Sequence, residues 1–144
     1  MINFLFYTTE PQKFAEEITH IHSLSVLHSI ELFIVCNSAK LMSSVSVLPK
    51  EKTIAILIAS TAKELEDLIL LQQQFSSIST ILVLPDDLTE TLQMGMLLSP
   101  IYFMTIQDNF SHFASATRDI SNIYVEHFDP QPQYSKAYLS PAAP

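Results

Sequence analysis

Glycine is almost absent from this chain of 144 residues, which contains Gly95 and no other. Loops that cradle phosphate groups, of the Walker or the dinucleotide-binding type, need several glycines at fixed spacing because the backbone must approach the anion closely. Neither type of loop can form here. Cysteine is equally rare, and the single Cys36 excludes an internal disulfide bond.

Basic residues are also few. The chain has 7 Lys and Arg against 15 Asp and Glu, a formal net charge of −8, and its basic residues are scattered from Lys13 to Lys136. Proteins that bind nucleic acid draw most of their affinity from basic side chains that neutralise phosphates. We therefore expect no direct contact with DNA or RNA, and the same charge disfavours anionic membrane surfaces.

Long apolar runs are missing as well. No segment reaches the roughly 18 apolar residues that indicate a transmembrane helix. The N-terminus lacks the basic flank and cleavage site of a signal peptide. Apolar residues nevertheless make up 48% of the chain and charged residues 15%, which is typical of a globular domain with a large core. We expect a cytoplasmic protein without a membrane partner.

Apolar segments that suit strands alternate with segments of helical periodicity. Such alternation implies a parallel sheet built through right-handed crossovers, here a three-layer α/β sandwich with five strands and a flavodoxin-like fold. The domain is predicted to span residues 1–128, and residues 129–144, rich in proline, form a tail or linker. Strands are predicted over 2–7, 30–37, 53–60, 80–85 and 101–106, and helices over about 10–23, 38–46, 61–75, 88–98 and 109–125.

Residue pairs at capping-box spacing predict where several helices begin. The pairs are Thr9 with Gln12, Thr61 with Glu64, and Asp87 with Glu90; Asp108 or Asn109 is expected to cap the last helix. A carboxylate cluster of Glu10, Asp86, Asp87, Glu90 and Asp108 could instead bind a metal at one end of the sheet. We favour the capping role, because the spacing already explains it.

The histidines and the cysteine predict no further site. His20 and His22 lie two residues apart, so on a helix they point to different faces and cannot chelate zinc together. Cys36 lies within an apolar strand segment and is interpreted as a small core residue.

The first strand and its loop, "FLFYTTEP", introduce a family resemblance. The chain resembles the receiver domain of bacterial response regulators over roughly residues 1–125. Receivers commonly have an acid pair where this chain has Thr8 and Thr9, followed by Glu10 and a proline. The phosphorylated aspartate of the family corresponds to Ala59, and its lysine on the fifth strand corresponds to Thr105.

The resemblance implies a degenerate phosphorylation pocket made of Thr8, Thr9, Glu10, Ala59 and Thr105. The family's acid pair binds Mg²⁺, a cation that prefers carboxylates, and threonine hydroxyls are neutral. We therefore expect no metal, no cofactor, no catalytic residue and no enzymatic activity. The implied function is a phosphorylation-independent signalling module that acts through a protein partner or as a homodimer. One form of this function is the N-terminal regulatory domain of a longer transcriptional or other response regulator. The alternative is a small-molecule sensor that uses the same pocket.

A surplus of apolar residues in "LQMGMLLSPIYF" suggests where such a module would make contact. In receivers the fourth helix, fifth strand and fifth helix commonly form the dimer and partner face, and the tyrosine of the family's fifth strand is retained as Tyr102. Core packing remains an equally open explanation for these side chains. The candidate interface residues are Met94, Met96, Leu97, Tyr102 and Phe103.

Overall fold

Five parallel strands form one sheet, in the order β2-β1-β3-β4-β5, in a computed structural model that describes residues 2–108 and 110–128. This is the flavodoxin-like strand order and confirms the predicted α/β fold. The strands are β1 (Ile2–Tyr7), β2 (Ile30–Val35), β3 (Thr53–Ile58), β4 (Ser79–Leu84) and β5 (Tyr102–Thr105). The helices are α1 (Ala15–His28), α2 (Ser38–Val47), α3 (Ala62–Leu70), α4 (Thr89–Met96) and α5 (Phe110–Phe128). The predicted tail, 129–144, lies outside the described residues.

Two apolar clusters cover the two faces of the sheet, because successive side chains on a strand point to opposite faces. Phe4, Phe6 and Ile56 belong to the cluster that packs against α1 and α5. Leu5 and Leu57 belong to the cluster that packs against α2 and α3. All six residues of β1 and all six of β3 are buried, which explains why these strands read as continuous apolar runs.

The observed helix caps match the predicted cap at one helix start and differ from it at two. The Thr61 side chain accepts a hydrogen bond from the backbone N–H of Glu64 and caps α3, as predicted. The Thr9–Gln12 box is wrong: the chain first makes a 3-10 turn at Pro11–Phe14, and α1 begins at Ala15 without a side-chain cap. The Asp87 cap is also wrong, because Leu88 is the N-cap of α4 and makes no side-chain cap bond.

Helix ends and the single cysteine also differ from expectation. Helix α1 continues five residues past the predicted end and stops at Ser29, whose φ of 55° is in the left-handed region. Ser99, after α4, has a φ of 48°. These serines occupy a conformation that favours glycine. Cys36 is exposed rather than in the core, because β2 ends one residue earlier, at Val35.

No helix in the described part of the chain has the length and apolarity needed to cross a membrane.

Gly95 lies where α4 packs directly on β4. A Cβ atom at this position would lie 2.9 Å from Cδ2 of Leu84 and 3.1 Å from Cδ2 of Leu82. Both leucines are fully buried, so they have little space in which to move. The glycine therefore sets the close approach of helix and sheet.

We predict that Gly95→Val lowers the free energy of unfolding by about 2 kcal/mol, because the added methyl groups overpack the core. Urea denaturation measures the change. The matched control is Gln93→Val, which places the same β-branched side chain on the exposed face of α4 and should cost no more than about 0.5 kcal/mol. Equal effects of the two substitutions would contradict the proposed close packing.

A histidine lies between α1 and α5. His20 Nε2 is 3.1 Å from the Thr117 hydroxyl, and the ring packs edge-on against Phe113 with centroids 6.3 Å apart. Burial lowers the pKa of His20, and the charge of Arg118 acts in the same direction, while a hydrogen bond to the backbone of Ala114 opposes them. The fold therefore favours the neutral ring.

We predict that this histidine makes stability depend on pH. Because its folded-state pKa is below the unfolded value of about 6.5, its contribution is complete above about pH 6.5 and is lost as pH falls through the folded-state pKa. The free energy of unfolding, measured by urea denaturation on both sides of that value, should fall less on acidification in His20→Gln than in the wild type. His22→Gln, on the exposed side of α1, serves as the control and should retain the wild-type profile.

Candidate functional site

The carboxyl ends of β1 and β3 lie side by side and form what we call the mouth of the sheet. The two strands pair in register from Asn3 with Thr53 to Tyr7 with Leu57. The loop that begins at Thr8 therefore lies next to Ala59 and Ser60. This is the juxtaposition on which the predicted pocket depends.

The loop after β1 uses its polar groups locally. Thr8 is fully buried, and its hydroxyl oxygen accepts the backbone N–H of Glu10 at 3.1 Å. The Glu10 carboxylate is exposed and lies 3.1 Å from Lys13 Nζ. This loop thus offers a divalent cation one solvated carboxylate that already has a basic neighbour, and the donors do not fit the coordination that Mg²⁺ requires.

One carboxylate does reach the mouth, and it comes from α3. Glu64 Oε2 accepts the Thr9 hydroxyl at 2.7 Å, and Oε1 accepts the backbone N–H of Ser60 at 2.8 Å. Glu64 also donates its own N–H to Thr61 Oγ1 at 3.2 Å. The side chain therefore connects the loop after β1 to the loop after β3, at a helix N-terminus that favours negative charge.

Two further residues of the predicted pocket, Ala59 and Thr105, carry no ionisable group. Ala59 is fully buried and continues the sheet ladder by donating its N–H to Val83 O at 2.9 Å. Thr105 is half-buried, and its N–H donates to Asp108 Oδ2 at 2.9 Å. A cavity of about 20 Å³, lined in part by Phe14, Thr105 and Asp108, has room for about one water.

The acidic residues at this end of the sheet do not gather into a metal site. Among the described residues, no group of three or more His, Cys, Asp or Glu side chains could hold a metal ion. Asp86 instead accepts the backbone N–H of Leu88 at 3.0 Å and shapes the loop before α4. Asp87 and Glu90 are exposed, so two of the acids remain free to face a partner.

The five candidate interface residues do not share one surface: Tyr102 lies on one side of the sheet and the other four lie on the side of α4. Met96 and Phe103 are 44% and 45% exposed. Met94 packs half-buried against the cluster under α4, whereas Leu97 is exposed. Tyr102 lies on the opposite face of β5, where it packs against the other core cluster. Its hydroxyl is 2.9 Å from His112 Nε2 in α5, and the two rings meet edge-on.

A row of side chains on α4 completes the exposed face beside Phe103. Leu88, Leu92 and Met96 recur every four residues and therefore share one flank of the helix. In a right-handed crossover from β4 to β5, that flank turns toward β5. Ile101 and Phe103 alternate with Tyr102 and therefore face α4. We name this surface the α4–β5 patch: Leu88, Leu92, Met96, Ile101 and Phe103.

Sequence reasoning missed two features of these surfaces. Glu64 was assigned to capping alone, although its place three residues after the N-cap of the helix that follows β3 indicates that its carboxylate lies near the mouth. Leu88 and Ile101, 59% and 51% exposed, were not included in the interface. The four-residue spacing of Leu88, Leu92 and Met96 is the sequence pattern that could have identified Leu88.

No protein-family model and no curated protein matches the chain. Similar solved structures include CpaE, assigned to pilus assembly, from Burkholderia thailandensis (TM-score 0.61, 14% identity, 85% of this chain and 99% of that chain). A pilus assembly-related protein from Burkholderia pseudomallei has a TM-score of 0.61 and 15% identity over 85% of this chain and 90% of its own. A response regulator receiver domain from Rhodospirillum rubrum has a TM-score of 0.63 and 12% identity, over 87% and 94%. At these identities the likeness shows the fold alone, which is of the receiver type.

We predict that Glu64→Ala lowers the free energy of unfolding by about 1–2 kcal/mol, because it leaves the Ser60 N–H without its acceptor and separates the two loops. Glu64→Gln retains one acceptor oxygen and should have a smaller effect. Glu66→Ala, on the exposed side of α3, should change stability by about 0.5 kcal/mol or less. Urea denaturation of the three variants provides the measurement, and equal losses at both positions would show that the connection across the mouth contributes nothing.

Proposed function

We propose that this chain is a receiver-like signalling domain whose state does not depend on phosphorylation and which acts through protein–protein contact. The observation that carries the proposal is the position of Glu64. Its carboxylate accepts the Ser60 N–H and the Thr9 hydroxyl, which are two of the donors at the mouth that could otherwise bind an anion. Receiver-type topology supports the signalling role.

Phosphoryl transfer to a side chain requires a nucleophile, and developing charge on the phosphoryl oxygens must be neutralised by cations. At the mouth, Ala59 has no nucleophile and Thr8 and Thr9 offer no charge. Thr105 cannot supply a cation. Three independent requirements are missing together, which supports a pocket that has lost the reaction rather than one that uses a substitute residue. The same chemistry supports a role without catalysis.

A module without a chemical switch must signal by occupancy of a surface. The α4–β5 patch supports this, since Leu88, Met96, Ile101 and Phe103 are each more than two-fifths exposed and lie along one helix and one edge strand. We propose that a protein partner or a second copy docks here in the cytoplasm, with Tyr102 and Leu97 at its borders. The chain would then serve as the interaction domain of a larger regulatory assembly.

Small-molecule sensing is the second candidate, and one observation favours it. The Ser60 hydroxyl oxygen is buried at the mouth and has no hydrogen-bond partner among the described residues. A small polar ligand could satisfy it. Against this role, Glu64 already connects the two loops, and the nearby cavity is far below the size of an ordinary ligand site. Protein contact is therefore the better-supported function.

We predict that incubation with Mg²⁺ and acetyl phosphate leaves the intact mass unchanged, because Ala59 offers no acceptor and the mouth has no basic side chain to activate a hydroxyl or neutralise the phosphoryl oxygens. Intact-mass spectrometry makes the measurement, with an aspartate-bearing receiver domain treated in parallel as a positive control. Ala59→Asp, once shown to be folded by circular dichroism, should also remain unmodified. An added phosphoryl group on the wild type would refute phosphorylation independence, and one on the variant would show that only the acceptor is missing.

A further inference from the structure

The α4–β5 patch differs from other exposed apolar residues in the charges around it. From Leu84 to Asp108 the chain has four acidic residues and no Lys, Arg or His. Asp86 and Asp87 immediately precede Leu88, and Asp108 follows β5, whereas Glu90 lies two residues from both Leu88 and Leu92 and therefore points to a different face of α4. The apolar surface is thus bordered by carboxylates on the side that faces the carboxyl ends of the strands.

Among the described residues, none of these carboxylates pairs with a Lys or Arg side chain. Between Lys63 and Arg118 the sequence contains no Lys or Arg, and Lys63 pairs with Asp67 on its own helix at 3.1 Å. Asp87 and Asp108 are both exposed. An apolar surface with an acidic border complements a segment that is apolar on one side and positively charged beside it.

A second copy of the chain complements this surface poorly. In a two-fold symmetric dimer the same patch contributes from both subunits, so a two-fold axis parallel to the strands would place one acidic border against the other. Juxtaposed like charges oppose association, and the net charge of −8 on each copy adds to the repulsion. Charge thus favours a different partner over self-association.

We propose that the α4–β5 patch binds a basic amphipathic helix of a partner protein. This inference rests on the proposed docking function and specifies the partner. Leu88 and Met96 are eight residues apart, so the row they form is about 12 Å long, enough to contact two turns of a helix. The helix would place its apolar residues between α4 and β5, and its lysines or arginines would face Asp87 and Asp108.

The test uses two synthetic peptides of equal length and identical leucine spacing, one with lysine and one with glutamate at the polar positions. Fluorescence anisotropy of each labelled peptide measures binding to the full chain. We expect the lysine peptide to bind at least about tenfold more tightly than the glutamate peptide, which corresponds to 1.4 kcal/mol. Its affinity should fall as salt is raised. Equal binding of the two peptides overturns the inference.

Substitutions establish whether the lysine peptide binds at the patch. Met96→Ser with Phe103→Ser should weaken binding about tenfold or more, whereas Leu27→Ser, at a residue 74% exposed on α1, should leave it unchanged. Asp87→Asn with Asp108→Asn should weaken binding and flatten its salt dependence. Glu16→Gln with Glu51→Gln removes two charges elsewhere and is the matched control. If both charge-removing pairs weaken binding equally, attraction to net charge explains the binding and the inference is wrong.

Sedimentation equilibrium separates failure of this inference from failure of the proposed function. If the chain forms a dimer that Met96→Ser with Phe103→Ser dissociates, the patch is a docking surface, but its occupant is a second copy. If those substitutions alter neither self-association nor peptide binding, the patch is not a docking surface, and both proposals fall.

Discussion

The carboxylate of Glu64 is the interaction on which the chemistry of this domain depends. It comes from a helix, yet it reaches the place where β1 and β3 end and accepts one hydrogen bond from each of the loops that follow them. A sheet of this type normally presents a ligand site at that place. Here the Glu64 carboxylate accepts two of the hydrogen bonds available at that place, so these donors connect the two loops of the domain itself.

The strands could be predicted closely because their signal is local. Fully buried central strands read as continuous apolar runs, and β1 was predicted at its observed bounds. Cys36 was misplaced because periodicity does not show where an edge strand leaves the sheet. The contact from Glu64 to Thr9 spans 55 positions, and no spacing rule reports a partner so distant in sequence. Thr9, assigned to a helix cap, serves this long-range contact instead.

Polar groups that could bind a ligand and apolar side chains that could bind a partner lie in two different parts of the molecule. Neutral hydroxyls and one tied carboxylate occupy the mouth, while exposed leucine, methionine and phenylalanine side chains with free carboxylates occupy the α4–β5 side. Gly95 belongs to this arrangement because it brings α4 close to β4 and so fixes the helix flank that stands beside Phe103. Packing in the core thereby determines the shape of the surface that we propose as the docking site.

The left-handed serines at positions 29 and 99 have a thermodynamic meaning beyond the turns that they form. A non-glycine residue in that conformation raises the energy of the native state by about 1–3 kcal/mol. The same absence of glycine narrows the range of backbone conformations available to the denatured chain. Less entropy is then lost on folding, and the free-energy cost of that loss falls by about 0.4–1 kcal/mol per position. The strain in these turns is thus offset in part by a more restricted denatured ensemble.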